Sequence, residues 1–195
     1  MGRLVVGISG ASGIQLAHRL ILALPHEVDL VITPSALYTA GLEMGREYAT
    51  VKRFVQSLDR EVKVHGINDL GSGIASGSYT VEGMVIIPCS MTTLAAIAVG
   101  LGDNCLRRAA DVTLKERRPL VIVPREAPLS EIHLENLLKV TRRGATIVPP
   151  VPAWYTQPKS MEDVENFIVG KVLDVLKIEH SLYPRWRSEE LSVSH

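Results

Sequence analysis

Two cysteines, Cys89 and Cys105, in 195 residues are too few for a disulfide framework. Free thiols and a reducing compartment are the default for such a chain. Charge of one sign is lacking as well: 21 Lys and Arg balance 21 Asp and Glu. A chain without excess charge has no global field to hold nucleic acid or an anionic membrane, and no basic stripe is interleaved with aromatics as single-stranded nucleic-acid binding would need. No apolar run approaches the roughly 18 residues of a membrane-spanning helix. The start, Met1-Gly2-Arg3, leads straight into a strand pattern and lacks signal-peptide architecture. Cytoplasmic residence is therefore expected. No His, Cys, Asp or Glu cluster has metal-ligand spacing. No two aspartates are adjacent, which argues against the Mg²⁺-diphosphate chemistry that acidic pairs support. Metal-independent chemistry is the expectation.

What is present is an ordinary core-forming composition, 46% apolar and 22% charged, enough for one domain. Short β-branched runs alternate with helical apolar spacing. Strands are expected at Leu4–Ile8, Val28–Thr33, Met84–Ile87, Leu120–Val123 and Thr146–Val148, with a weaker one at Glu61–Val64. Helices are expected over Ile14–Leu24, from Ser35 to about Met44, and over Val51–Leu58, Thr92–Val99, Leu106–Arg117, Leu129–Arg142 and Glu162–Leu176. This alternation implies an α/β fold of three layers, a mostly parallel sheet with helices on both faces. Residues 1–178 form a single domain in this reading, and 179–195 a polar tail anchored by Tyr183 and Trp186. Gly66, Gly71, Gly73 and Gly77 with their serines suggest a mobile loop or lid over 66–78.

Parallel sheets bind ligands outside the carboxyl ends of their strands, and the chemistry-bearing residues fall there. Gly7-Ile8-Ser9-Gly10-Ala11-Ser12-Gly13 joins the first strand to the first helix, where backbone amides attract phosphate. It lacks the regular spacing of a dinucleotide fingerprint, and a ligand-free tight turn is the plain alternative. Ser35 follows the second strand, as ligand contact or as helix cap. Ser90, Thr92 and Thr93 follow the fourth, with the same two readings. Arg125-Glu126 follows the fifth: an arginine keeps a neighbouring carboxylate ionised, ready to orient a partner or move a proton, although surface ion pairs are common. Arg107, Arg108, Lys115, Arg117 and Arg118 concentrate positive charge, with Arg108 and Lys115 seven residues apart on one helix face. Cys89 has no obvious activating partner and is expected to be a core thiol, as is Cys105. His133 and Glu135 suit helix packing. Trp154 and Tyr155 follow a rigid proline segment and can line an apolar pocket, and Lys171 can reach a phosphate.

Together these motifs resemble the flavin prenyltransferase (UbiX-like) family. The carrying segments are Gly7–Gly13, Ile74–Ser78, Ile87–Ala95, Asp103-Asn104 with Arg108–Val112, Leu114–Arg118, Arg125–Leu129, Ile132–Asn136 and Pro152–Tyr155. The resemblance spans about residues 3–186. It implies a flavodoxin-like or Rossmann-like sandwich that uses reduced FMN as acceptor substrate and assembles as a dodecamer. It implies transfer of a dimethylallyl group from dimethylallyl monophosphate to N5 and then C6 of the flavin, with the prenylated product passed to a UbiD-type decarboxylase. By position, Gly10, Ala11, Ser12, Ser35, Ser90, Met91, Thr92, Thr93 and Arg125 would hold FMN, with Ser12 near N5. Arg108, Lys115, Arg125, Tyr155 and Lys171 would hold the prenyl phosphate, and Glu126 would move a proton. Ser12, Glu126, Lys115 and Tyr155 form the implied catalytic set. Trp186 would cover the site, from the same or a neighbouring subunit. The family's acidic residue after the second strand falls on Glu43 or Glu47, with Glu47 as the weak preference. Trp154 stands where phenylalanine is usual, and Lys171 where arginine is also found. The fold is shared with flavin-dependent cysteine decarboxylases and would also suit an FMN carrier or a direct decarboxylase. The Ser90–Thr93, Lys115 and Tyr155 motifs fit prenyl transfer better.

Overall fold

Four largely apolar runs and two short edge segments pair into one all-parallel sheet. In the computed structural model, which describes residues 2–186, the strands are β1 (Arg3–Ile8), β2 (Glu27–Ile32), β3 (Lys63–His65), β4 (Gly83–Cys89), β5 (Leu120–Pro124) and β6 (Ala145–Ile147), in the order β3-β2-β1-β4-β5-β6. Between and after them run α1 (Ile14–Ala23), α2 (Pro34–Glu43), α3 (Val51–Gln56), α4 (Met91–Val99), α5 (Cys105–Lys115), α6 (Glu131–Arg142) and α7 (Met161–Val175). The order reverses at β1, whose neighbours are β2 on one side and β4 on the other. That reversal opens a crevice at the carboxyl ends of β1 and β4.

The four central strands are buried on both faces, which is why they are largely apolar. On one face Leu4, Val6 and Ile8 pack with Leu20 and Ile21 of α1 and Val169, Val172 and Leu173 of α7. On the other, Val5, Met84 and Ile86 pack with Leu94 and Ile97 of α4, Leu106 and Ala110 of α5, and Val140 of α6. Alternation of residues 4, 5 and 6 between the two cores follows from the two-residue period of a strand. The expected three-layer architecture is present, and its sheet is wholly parallel.

Three local expectations change. Ser35 does not cap α2: Thr33 does, its Oγ1 accepting from the Ala36 amide at 3.1 Å, with Pro34 in the first turn. The weak edge strand falls at Lys63–His65 and not at Glu61–Val64. Residues 66–78, expected to be a mobile loop or lid, carry side-chain hydrogen bonds to the body of the protein. Arg118 donates to the carbonyls of Gly77 (2.8 Å) and Tyr79 (2.9 Å), Arg108 Nε donates to Ala75 O, and buried Ser72 bonds His65, which in turn bonds Asp29.

Candidate active site

The floor of the crevice is fixed by Ser9. Its buried hydroxyl donates to Pro88 O at 3.3 Å and accepts from the Ser90 amide at 2.8 Å, stitching the end of β1 to the end of β4. Beyond it, Gly10 passes so near α2 that a Cβ there would sit 2.4 Å from Ser35 Oγ. Only glycine permits that approach. Because Thr33 does the capping, Ser35 is left to face Gly10.

Gly13 takes a left-handed conformation (φ 100°) and opens α1. The Glu43 carboxylate accepts from the amides of Gly13 (3.0 and 3.2 Å) and Ile14 (3.0 Å). A side-chain carboxylate therefore already satisfies the positive end of α1, where a ligand phosphate was expected. Glu43 is the acidic residue that meets the glycine loop. Glu47 is exposed on the 3₁₀ turn Arg46–Ala49 and does not.

At the end of β4, Ser90 caps α4: its Oγ accepts from the Thr93 amide at 3.2 Å and donates to Thr93 Oγ1 at 3.1 Å. Thr92 is left exposed. At the end of β5, the Arg125 amide donates to Cys89 O at 3.1 Å, which aims the exposed Arg125 and Glu126 side chains over the crevice. These loops enclose two adjoining lobes that share Gly10, Ser90 and Thr92. One, of about 510 Å³, is walled by Ala11, Met91, Ala95, Arg125, Glu126 and His133. The other, of about 490 Å³, is walled by Thr33, Ser35, Asn68, Thr93, Asn104 and Arg107. Their size suits a drug-sized cofactor. The hydroxyl-rich wall and the close backbone approach at Gly10 fit the phosphate and polyol chain of a flavin nucleotide. The flatter apolar wall of Met91 and Ala95 fits its ring.

Gly10, Ala11, Ser35, Ser90, Met91, Thr92, Thr93, Arg125 and Glu126 are thus brought together. Ser12 lies exposed on the same loop, beyond the walls of either lobe. Arg108 and Lys115 are elsewhere. Arg108 is ion-paired with Asp111 at 2.6 Å, and Lys115 with Glu116 at 2.6 Å. Lys115 closes the far end of α5, about 15 Å along the axis from the end that meets the crevice. It borders a separate depression with Asp111 and Arg143. A shared helix face does not bring Arg108 and Lys115 to this chain's own crevice.

Tyr155, Lys171 and Trp186 form a third group. Tyr155 meets Trp186 edge to face at 5.0 Å and Phe167 at 6.2 Å. Lys171 Nζ lies 3.2 Å from Asp174, whose carboxylate also accepts from Tyr183, from His180 at 3.1 Å and from Arg185 at 2.6 Å. Burial alone would raise the Asp174 pKa, but the bonds from Tyr183, Arg185, Lys171 and His180 outweigh it and hold the carboxyl well below its usual range. Burial and the bond to Asp174 push the Tyr183 phenol up to about 12. Burial likewise pushes the Cys89 thiol up to about 12, against smaller opposing effects that include the Arg107 charge, so Cys89 is no nucleophile near neutral pH.

Sequence reasoning missed Ser9, the lobe-lining part of Arg107, and His133, which both lines the first lobe and completes the Ser130 capping box at the start of α6. The one visible signal for Ser9 was a polar residue between an apolar strand and a glycine.

The flavoprotein family model matches residues 2–173. A flavin prenyltransferase UbiX of Chlamydia pneumoniae is 52% identical over 193 residues, 97% of this chain and 100% of that protein. A solved structure of AnUbiX in complex with FMN and dimethylallyl pyrophosphate has a TM-score of 0.90 and 43% identity, covering 97% of this chain and 99% of that one. A dodecameric FMN-dependent UbiX-like decarboxylase from Escherichia coli O157:H7 has a TM-score of 0.87 and 42% identity, covering 94% and 98%. Likeness at this identity, sustained from end to end, places the chain in the flavin prenyltransferase family.

Proposed function

We propose that this protein transfers the dimethylallyl group of dimethylallyl monophosphate to reduced FMN and releases prenylated FMN to a UbiD-type decarboxylase. The observation that carries this reading is the end-to-end likeness to AnUbiX, whose structure holds FMN and dimethylallyl pyrophosphate, together with a crevice whose two lobes suit a flavin nucleotide. Reduced FMN, when bound, supplies the nucleophilic ring atoms. The protein does the rest.

In this reading Gly10, Ala11, Ser35, Ser90, Met91, Thr92, Thr93 and Arg125 hold the flavin, and Ser12, exposed beyond both lobes, approaches it from the rim of the glycine loop. Tyr155, Lys171 and Arg125 hold the prenyl phosphate with Arg108 and Lys115. The last two act from a neighbouring subunit, a role supported by the distance of Lys115 from its own crevice and by the dodecameric relative. Fixed cations stabilise the phosphate as it gains charge on leaving. Tyr155 and Trp186 present aromatic faces that stabilise a developing allylic cation and exclude the water that would trap it. Glu126 moves the proton. Glu43, in place of Glu47, is the acidic residue assigned to the glycine loop. Residues 1–178 act as one domain and 179–195 as a strap over the site. Residues 187–195 lie outside the described structure. Among the described residues no helix is long and apolar enough to cross a membrane, and the cytoplasm is the proposed location.

Anaerobic incubation with reduced FMN and dimethylallyl monophosphate, then mass spectrometry of the released flavin, tests the proposal. A gain of one C5 prenyl unit that requires the protein supports it. Unmodified FMN recovered from protein that binds it, with the diphosphate tried as well, would make this chain a carrier.

A further inference from the structure

Arg107 is the only charged side chain among the described residues that wall the second lobe; its companions there are the hydroxyls of Thr33, Ser35 and Thr93 and the amides of Asn68 and Asn104. Its backbone is fixed, because the Asn104 side chain caps α5 by accepting from the Arg107 amide at 3.0 Å. Its guanidinium is only partly committed. Nη1 reaches both oxygens of Asp103, at 2.8 and 3.0 Å, while Nε is buried and has no partner. Buried donors in folded proteins almost always have an acceptor, and an arginine in the first turn of a helix works against the helix dipole. An anion in the lobe would answer the charge that Arg107 brings to the start of α5 and give its guanidinium a second partner beside Asp103.

The lobe is built for one. The capping residues of α4 and α5, Ser90 and Asn104, both line it, so two positive helix ends converge on it. The first lobe differs, for there Arg125 is accompanied by Glu126 and by the apolar Met91, Ala95 and Ile132. Arg107 also forms the partition between the second lobe and the depression that carries Lys115.

We propose that Arg107 is a further binding residue of this protein, holding the terminal phosphate of FMN and setting its preference for FMN over riboflavin. This rests on the flavin reading above. The guanidinium would add charge-assisted hydrogen bonds to those of the hydroxyls, so FMN binding, and not riboflavin binding, would weaken with salt.

The test is titration of both flavins by fluorescence quenching, with wild-type protein, Arg107→Met and Arg107→Lys, checking folding by thermal melting. Loss of a charged hydrogen-bond partner predicts FMN affinity at least about tenfold weaker in Arg107→Met. Riboflavin affinity should be unchanged, and Arg107→Lys should recover part of the loss. Equal losses for the two flavins, or an unchanged FMN affinity, overturn the proposal. Should Arg107→Met not fold, the wild-type protein decides: equal affinity for FMN and riboflavin, at low and high salt alike, overturns it. Wild-type protein that binds neither flavin overturns the flavin reading itself.

Discussion

The ammonium of Lys171 stands 3.2 Å from the carboxylate of Asp174, one turn along α7, and so shares its counter-ion with the chain end that folds back over the helix. Asp174 couples a proposed substrate cation to the placement of Tyr183 and Arg185.

Asp174→Asn should therefore act twice. Use of the prenyl phosphate should become poorer, seen as a raised KM with a smaller change in kcat. Stability at pH 7 should fall by about 2 kcal/mol, as expected when hydrogen bonds to a charged group are lost. Because the folded-state pKa lies below the unfolded value, the ionised carboxylate stabilises the fold above the unfolded value of about 4. That contribution shrinks as pH falls through the window below it. Urea unfolding at pH 7, 5 and 3 should show wild type and variant converging at the acid end. A constant gap would mean that the charge is not responsible.

Glu43→Ala leaves the amides of Gly13 and Ile14 without their acceptor. An expected loss of about 1 kcal/mol follows from the capping and dipole contributions. Glu43→Gln, which keeps an accepting oxygen, should lose less. Chemical denaturation measures both. An identical loss in the two variants would show that packing, not amide capping, is what Glu43 provides.

Gly10→Ala should abolish flavin binding more thoroughly than Ser35→Ala. The added methyl meets Ser35 Cβ at 2.5 Å and Ser35 backbone carbon at 3.1 Å as well as Oγ, so truncating the hydroxyl cannot relieve the clash. The double variant should bind flavin no better than Gly10→Ala. Recovery in the double variant would show that the loop can shift at little cost.

Lys115→Ala should leave FMN titration unchanged and depress prenyl transfer by two orders of magnitude or so, the scale of losing one transition-state charge contact. Mixing Lys115→Ala subunits with Arg125→Ala subunits should restore part of the activity, since the crevice of a Lys115→Ala subunit keeps its own Arg125 and can take Lys115 from an Arg125→Ala neighbour. An inactive hybrid would place Lys115 with its own chain's crevice, or nowhere in the reaction.

With its thiol pushed up to about 12, Cys89 should resist iodoacetamide in the native protein at pH 8 and react only after unfolding. Rapid native alkylation at Cys89, read by peptide mass spectrometry, would contradict its burial.

The layers were legible in the sequence because both faces of a parallel sheet are covered, so each strand announces itself as a short apolar run and each helix by its stripe. Much of the crevice was legible for a related reason: strand ends are marked by glycine and hydroxyl residues, and a parallel sheet gathers all its carboxyl ends on one edge. What depended on distant partners was hidden. Nothing local distinguishes Glu43 from Glu47; only the packing of α2 against the start of α1 does. Ser35 looked like the cap because serine usually is one, yet Thr33 lay two residues earlier with proline behind it. The spacing of Arg108 and Lys115 on one face was correctly inferred. Where that face points is a property of the assembled layers and was not.

Ser9 carries a last consequence. Through one oxygen that both gives and receives, β1 and β4 are made to stop level with each other. The crevice thereby has a ruler at its base, and the loops above it span a gap set by the two strand ends. A change at this single hydroxyl would be felt at the ends of both strands at once.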